Sequence, residues 1–530
     1  MKLNNLFFSI RILVSNHLCR PIFACLFTSL LVLMTGCGGE VDGGEQTIFE
    51  SPNALPLGIA LRVNNLTGSD SADGVSQPFQ SLQHALDTLR PGDTLIIENT
   101  DTSYSSNAVI GEEFDAEGNV SRVLQGFALR NSGSPNLPII IQGERSIVGD
   151  QPLPVIDQLQ STSTPGVAIL GIYLPCVSHI VIRDLEIRNT NEAGISSSTN
   201  GACDSSGITI ENSHIHSVYG EKYVGGIRMM GVSDLLIRNN TIENIFSNSS
   251  PEQKLFVKNG RGQSNIVVES NHFEDLEVGV SINAQSLSDA SIAVDQGLSI
   301  TDIKIANNTF NQLTGSAIVL QTHISDALNS NQENTGSFLQ TDIYGNVFDQ
   351  VESALIVDTN PSLQQSNDLC FYNNTLVDNA LAALNINSVS DLEFFNNLIY
   401  RPLGDIIMTR AAINESLQNR LSYSDNNLFA LATPSWHLDI GGPTETLYSD
   451  FQSWMNASHP ELSIAPDIAS YFGEDPAFVD ADNANYTLQP SSPALSAGRF
   501  GLSIGADFDT ADISAPNASS CVARLLEAQL

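Results

Sequence analysis

Residues 234–244 read DLLIRNNTIEN, residues 265–275 read NIVVESNHFED, and residues 302–312 read DIKIANNTFNQ. All three carry one pattern: apolar residues alternating at period two, a corner with asparagine, then a second short apolar run. Alternation at period two is the signature of a half-buried strand. The pattern recurs at 179–189 (HIVIRDLEIRN), 207–217 (GITIENSHIHS), 341–350 (TDIYGNVFDQ), 369–379 (LCFYNNTLVDN), 391–401 (DLEFFNNLIYR) and 421–431 (LSYSDNNLFAL). The residues leading the second run are Ile187, Ile215, Ile242, Phe273, Phe310, Phe348, Leu376, Ile399 and Phe429. Their separations are 28, 27, 31, 37, 38, 28, 23 and 30.

Self-similarity at this spacing means a solenoid, a propeller or an array. No amphipathic helix lies between the strands, which excludes helical repeats. Tight hairpin turns are scarce, which argues against propeller blades. A third short strand follows most corners: GGIRMMG (225–231), LFVKNG (255–260), GVSINA (279–284), SAIVLQ (316–321), SALIVD (353–358) and LAALNI (381–386). The fold expected is all-β, a parallel β-helix with three strands per coil and unequal loops entering at one corner, after the asparagine. Asn240, Asn271, Asn308, Asn346, Asn374, Asn397 and Asn427 occupy one corner of successive coils. Asparagine tolerates left-handed backbone, and its amides can stack into a hydrogen-bonded ladder.

An open solenoid end exposes strand edges and needs a cap. At the N-terminal end PFQSLQHALDTLRPGD (78–93) places Phe79, Leu82, Leu86 and Leu89 near one helical face, with Pro91-Gly92 as the stop. DTLIIEN (93–99) then reads as the first strand. LPIIIQGERS (137–146) and PLPVIDQ (152–158) read as early, irregular coils. After Phe429 the repeat fades into a short helix at SDFQSWMN (449–456) and an irregular C-terminal cap.

LRVNNLTGSDSADGVSQPFQSLQHALDTLRPGDTLII (61–97) resembles the opening of bacterial right-handed parallel β-helix repeat proteins, the pectate-lyase-like superfamily. DPAFVDADNANYTLQPSSPALSAGRFGLSIGADF (475–508) is similar to their closing segment, often described as a choice-of-anchor module. With the repeats, the resemblance covers most of the chain and implies the right-handed β-helix. It implies no single activity, because this fold carries lyases, hydrolases, epimerases and adhesins. On this fold Cys176 and Cys203, 27 residues apart and each preceding a corresponding strand, are expected to form a disulfide between stacked coils. Cys370 with Cys521 would pin the tail to a late coil.

Composition narrows the partners. Of 530 residues, 42% are hydrophobic and 15% charged, enough for a large core, with 22 Lys and Arg against 59 Asp and Glu and a formal charge of −37. Nucleic acid is excluded as a partner, since neutralising phosphates requires a basic face. The N-terminus reads as an export signal: Lys2, Arg11 and Arg20 precede the apolar run PIFACLFTSLLVLM (21–34). LMTGC (33–37) resembles a bacterial lipobox, which implies cleavage before Cys37, lipidation of its thiol and a membrane anchor. Gly38 follows Cys37 in place of the aspartate of inner-membrane retention, so the outer membrane or cell surface is expected. The segments are then 1–36 signal peptide, 37–58 tether, 59–160 N-terminal cap and early coils, 161–435 regular coils, and 436–530 C-terminal cap. No CxxC pair occurs, and no metal ligand set is expected from the cysteines.

Lyases of the resembled fold cleave acidic polysaccharides by β-elimination. They neutralise the uronate carboxylate with a cation or Ca²⁺ and remove the neighbouring proton with a base, often Lys or Arg. In GGIRMMG and LFVKNG, strand alternation turns Arg228 and Lys258 outward on adjacent coils. Ser281, Asn283, Gln321, Asp358 and Asn385 continue a polar, sugar-facing stripe. Lys258 is the candidate base, Arg228 or Ca²⁺ the candidate neutraliser, and Arg261 a solvated turn residue. The motifs of the named lyases are incomplete: no cation follows Lys258 on the next coil, and the RxPxxR, DPH, NTD and RIK elements are absent. His214 and His216 alternate on one strand as a weaker catalytic or metal pair. GSDSADG (68–74) offers oxygens for Ca²⁺ without the spacing of an EF-hand, and reads as a turn. The function expected is a monomeric surface lipoprotein binding a carbohydrate or surface partner along its groove; the alternative is a polysaccharide lyase.

Overall fold

The computed structural model describes residues 58–506 and Cys521, except 115–118, 146–151, 159–165, 198–203, 221–223, 248–254, 259–262, 285–298, 322–336, 359–366, 388, 390, 411–420, 431–434, 439–445 and 457–466. The chain divides into units 1–56 and 57–530, and all described residues lie in the second. Cys37, the signal and the tether up to residue 57 therefore lie outside the described residues, as do Cys203 and Arg261.

Within each large sheet, neighbours are every third strand along the chain, apart from consecutive pairs at the ends. One turn of chain therefore lays one strand on each of three sheets, and the pairing is parallel throughout the regular coils. From the strand Ile180–Arg183 onward, two residues join each first-sheet strand to its second-sheet strand, as between Val232–Arg238 and Thr241–Ser247 or Gln263–Glu269 and His272–Leu276. Connections from the third sheet to the next coil run from one residue, Gly231, to fifteen. The expectation that variable stretches follow the asparagine corner is corrected on this point: the larger variation falls between the third sheet and the next coil. The constant corner is fixed by side-chain hydrogen bonds that leave no room for an insertion.

Those bonds form the expected ladder. Nδ2 of Asn240 donates to Oδ1 of Asn271 at 3.0 Å, and the same bond runs through Asn308, Asn346, Asn374 and Asn397 to Asn427 at 3.0–3.2 Å. Each Oδ1 also accepts the backbone N–H of the preceding ladder residue, as Asn346 N to Asn374 Oδ1 at 3.0 Å. Each amide also donates to a carbonyl of the coil before, as Asn346 Nδ2 to Ile305 O at 2.9 Å. The amides are 0–2% exposed, so every bond replaces one with water that the site excludes.

The left-handed residue at this corner is a different one. Asn239, Ser270, Asn307, Gly345, Asn373, Asn396 and Asn426, each one place before the ladder, have φ between 50° and 66°. The ladder residue needs a backbone that turns its amide inward, and the residue before it takes the bend. Two further left-handed columns stand five residues to either side, as at Asp234, Asn239 and Asn244, or Asp302, Asn307 and Gln312.

The core follows the same stacking. Ile187, Ile215, Ile242, Phe273, Phe310, Phe348, Leu376, Ile399 and Phe429 pair in register down the second sheet, all fully buried. Phe273, Phe310 and Phe348 stack with ring centres 4.9 and 5.1 Å apart, close to the strand spacing of a sheet.

At the N-terminal end a strand at Ala60–Val63, too short to show a period, precedes the capping helix and pairs with Thr94–Ile97. The strand at 93–99 is therefore the second. The helix Leu82–Thr88 is capped by Ser81 and buries Leu82, Ala85 and Leu86. An antiparallel pair at Val109–Phe114 and Val120–Ala128 was not anticipated.

At the other end, Phe429, Trp436, Phe451 and Trp454 close the core, with Trp436 and Trp454 stacked at 5.3 Å. The tail then runs back along the last coils. Asn373 donates to Ser503 O, Arg499 N donates to Asn396 Oδ1, and Cys521 is disulfide-bonded to Cys370. Cys176 is also disulfide-bonded, and its expected partner Cys203 lies outside the described residues.

Asp467 terminates the ladder. Fully buried, it accepts from Asn427 Nδ2, Ser470 Oγ, Ser424 Oγ and Trp454 Nε1 at 2.7–3.1 Å. Burial pushes its carboxyl up, against those four donors. A raised folded pKa contributes stability below the ordinary aspartate value and loses it as pH rises through the raised one. Asp467→Asn, a mimic of the protonated acid, is therefore expected to gain stability relative to wild type as pH rises from about 4 to about 7. Urea midpoints of both proteins across that range check this, and a pH-independent difference contradicts it.

The ladder and its neighbouring column are separable by mutation. Asn346→Ala strands two buried donors of Asn308 and is expected to cost about 2–4 kcal/mol. Asn307→Val sets a β-branched residue in left-handed backbone at an exposed corner and should cost about 1–2 kcal/mol. Equal losses for the two in urea denaturation would contradict the assignment.

Candidate functional site

Two columns of the third sheet, two residues apart along each strand, hold the residues singled out in the sequence. One runs Tyr173, Ser196, Arg228, Phe256, Ser281, Val319, Ile356, Asn385 and Met408. The other runs Met230, Lys258, Asn283, Gln321, Asp358, Asn387 and Arg410. The expected residues stand on these columns, with Arg228 and Lys258 on different ones, as diagonal neighbours. Of Lys258 only the backbone position, at the end of the strand Leu255–Lys258, is described.

Arg228 is 5% exposed, and its guanidinium is paired with Glu192, itself 3% exposed. The same carboxylate pairs with Arg122. This Arg–Glu–Arg arrangement, with Arg228 and Glu192 buried and Arg122 partly exposed, corrects the expectation of Arg228 as an open neutraliser. The cation compensates an internal carboxylate, and withdrawing it would leave Glu192 desolvated with one cation fewer. Ser281 is fully buried with its hydroxyl unpartnered, and Asn283 is 1% exposed, so neither meets solvent. Gln321, Asp358 and Asn385 are half-buried and remain accessible.

The corner between the second and third sheets carries what the sequence reading missed. Tyr219 and Phe246, in register on adjacent coils, are 51% and 43% exposed and stack at 5.9 Å with planes 14° apart. Their rings form one flat apolar platform on the coils that carry Arg228 and Lys258. Their separation of 27 residues, one coil, was the available signal. Further along this corner a cleft of about 460 Å³ is lined by residues including Thr314, Glu352, Asp378 and Leu403.

The loop at 68–74 is a turn, as expected. Asp73 accepts from Val75 N, Ser76 N and Ser76 Oγ, bonds that hold its carboxyl down to about 2. Asp70 accepts from Gln80 N, Ser81 N and Ser81 Oγ. Among the described residues, no helix is long and apolar enough to cross a membrane.

With coil, ladder and register in place, the class is defined: the described residues form a right-handed parallel β-helix. Residues 166–295 match a family model described as right handed beta helix region. Similar solved structures include a lacto-N-biosidase from Eubacterium ramulus, at 15% identity over 67% of each chain with a TM-score of 0.36. A pectate lyase matches at 14% identity over 86% of this chain and 97% of its own, with a TM-score of 0.38. An alginate lyase from a Paenibacillus species matches at 15% identity over 68% of this chain and 97% of its own, with a TM-score of 0.34. Among curated proteins none matches the sequence.

Arg228→Ala is expected to destabilise the protein by about 3–5 kcal/mol, because it leaves a buried carboxylate short of a cation. Arg228→Ala combined with Glu192→Ala, which removes both charges, should recover part of that loss. Thermal or urea unfolding of the single and double variants checks the pairing.

Proposed function

We propose that this chain is a surface-anchored lipoprotein that binds a carbohydrate along the strand face of its β-helix. The stacked, solvent-facing Tyr219–Phe246 pair carries the reading. Single exposed apolar residues are ordinary, but two coplanar rings in register make a platform the width of two coils. The apolar C–H face of a sugar ring covers such a platform, recovering hydrophobic free energy while its hydroxyls stay at the polar rim. Gln321, Asp358 and Asn385 supply neutral and acidic hydrogen-bonding groups further along the adjoining face. The formal charge of −37 favours an uncharged glycan, or an acidic one bridged by Ca²⁺. In this reading the lipid on Cys37 holds the β-helix at the outer membrane or cell surface.

The second reading is a polysaccharide lyase or related carbohydrate-active enzyme working by β-elimination. The backbone register of Lys258 on the third sheet, between Met230 and Asn283 and diagonal to Arg228, favours it. Because Arg228 is committed to Glu192, carboxylate neutralisation in this reading would fall to Ca²⁺ or another cation.

A glycan panel followed by calorimetric titration tests the binding. Tyr219→Ala with Phe246→Ala is expected to weaken the affinity at least tenfold with little change in melting temperature. Unchanged affinity would exclude the platform. Incubation with alginate, pectate and chondroitin, with and without Ca²⁺, separates the two readings. An ultraviolet rise from unsaturated uronate that Lys258→Ala abolishes would establish the lyase, and no rise is expected of the binding protein.

A further inference from the structure

The outward face of the second sheet carries a cluster that the carbohydrate reading does not use. Strand His214–Gly220 presents His214 and His216 on one side, in register with Glu186 and Arg188 of the coil before and with Thr241 and Glu243 of the coil after. The two imidazoles stack at 4.2 Å. His216 Nε2 lies 3.2 Å from Glu186 Oε1, and His214 Nε2 lies 2.9 Å from Glu243 Oε1.

The geometry points to a divalent transition-metal site, of zinc type, formed by Glu186, His214 and His216 with Glu243 as a further ligand. One ligand atom from each of the first three lies within 4.8 Å of the others, and all three are half-buried. Atoms so spaced lie at most about 2.8 Å from a common centre, so side-chain shifts below about 1 Å bring them to zinc bonding distance. The donors are imidazole nitrogen and carboxylate oxygen, a set that suits zinc and its neighbours and not Ca²⁺, which takes oxygen alone.

The surroundings fit. Burial draws the His216 imidazole toward its neutral form, the form that binds metal, and the Ser217 hydroxyl at 2.9 Å from Nδ1 orients the ring. Glu186 contacts both Arg188 and His216 through Oε1, leaving Oε2 for an ion. Arg188 is the opposing charge on this strip, and its Nε is bound by Asp157 Oδ2 at 2.8 Å. Asp157, Glu186, Glu243 and Glu274 outnumber it, so the strip favours a cation. The chain thus spends two of its nine histidines on one outward patch where the neighbouring coils supply the carboxylates.

The test uses the purified full chain, stripped with a chelator and titrated with zinc chloride alone. One equivalent is expected to bind and to raise the melting temperature, since an ion held only by the folded state stabilises it. His214→Ala with His216→Ala should weaken that binding at least tenfold and abolish the thermal shift. Glu186→Gln, which preserves shape, should weaken it without altering the metal-free melting temperature. The absence of saturable binding overturns the proposal, as does zinc affinity unchanged in both variants. Equal competition by Ca²⁺ overturns it too, because it would mean an all-oxygen site. The outcome is independent of whether the Tyr219–Phe246 platform binds sugar.

Discussion

The asparagine ladder is the constraint on which the rest of the molecule hangs. Each buried amide has two donors and one oxygen with two lone pairs, and the corner uses all of them at once. The donors reach the next ladder oxygen and a carbonyl of the coil before; the oxygen receives the amide and the backbone N–H of the previous ladder residue. A parallel coil standing alone would leave those groups unsatisfied in a dry interior, which is costly. The ladder therefore makes each coil dependent on the next and sets the register of all three sheets. It ends where the chain supplies other donors and acceptors of the right geometry, at Ser213 and at Asp467.

Once that corner is fixed, coils of 23 to 38 residues can stack with the same register, because the excess length leaves elsewhere. Chemistry on the outside then becomes a matter of columns. Residues far apart in the chain meet only if they occupy the same place on neighbouring coils. The second sheet's outer face gathers histidines and carboxylates in this way, and the corner beside it gathers two aromatic rings. The third sheet's outer face instead buries an arginine against a glutamate. An outward-pointing side chain is thus not the same as an exposed one.

The ends solve the edge problem by different means. A short amphipathic helix with a serine cap covers the first coil, and four aromatic side chains fill the last. The tail returns along the side of the final coils, using the left-handed Asn373 and Asn396 as hydrogen-bonding partners. Those side chains are turned outward by the bend that sends their ladder neighbours inward, so one corner holds the interior together and docks the tail.

The sequence by itself determined the coil. Period-two alternation, the asparagine corner and the spacing from Ile187 to Phe429 were enough to place one strand of every coil and the ladder, because both depend on local pattern repeated in register. It also indicated that Arg228 and Lys258 share a face, since strand alternation is local. What it left open depended on neighbours in space. Only the stacking revealed that Glu192 sits between Arg122 and Arg228, that Ser281 and Asn283 are shut off from solvent, and that Glu186 and Glu243 flank the two histidines. Local pattern gives the direction of a side chain, whereas its exposure and its partner are set by the coils above and below.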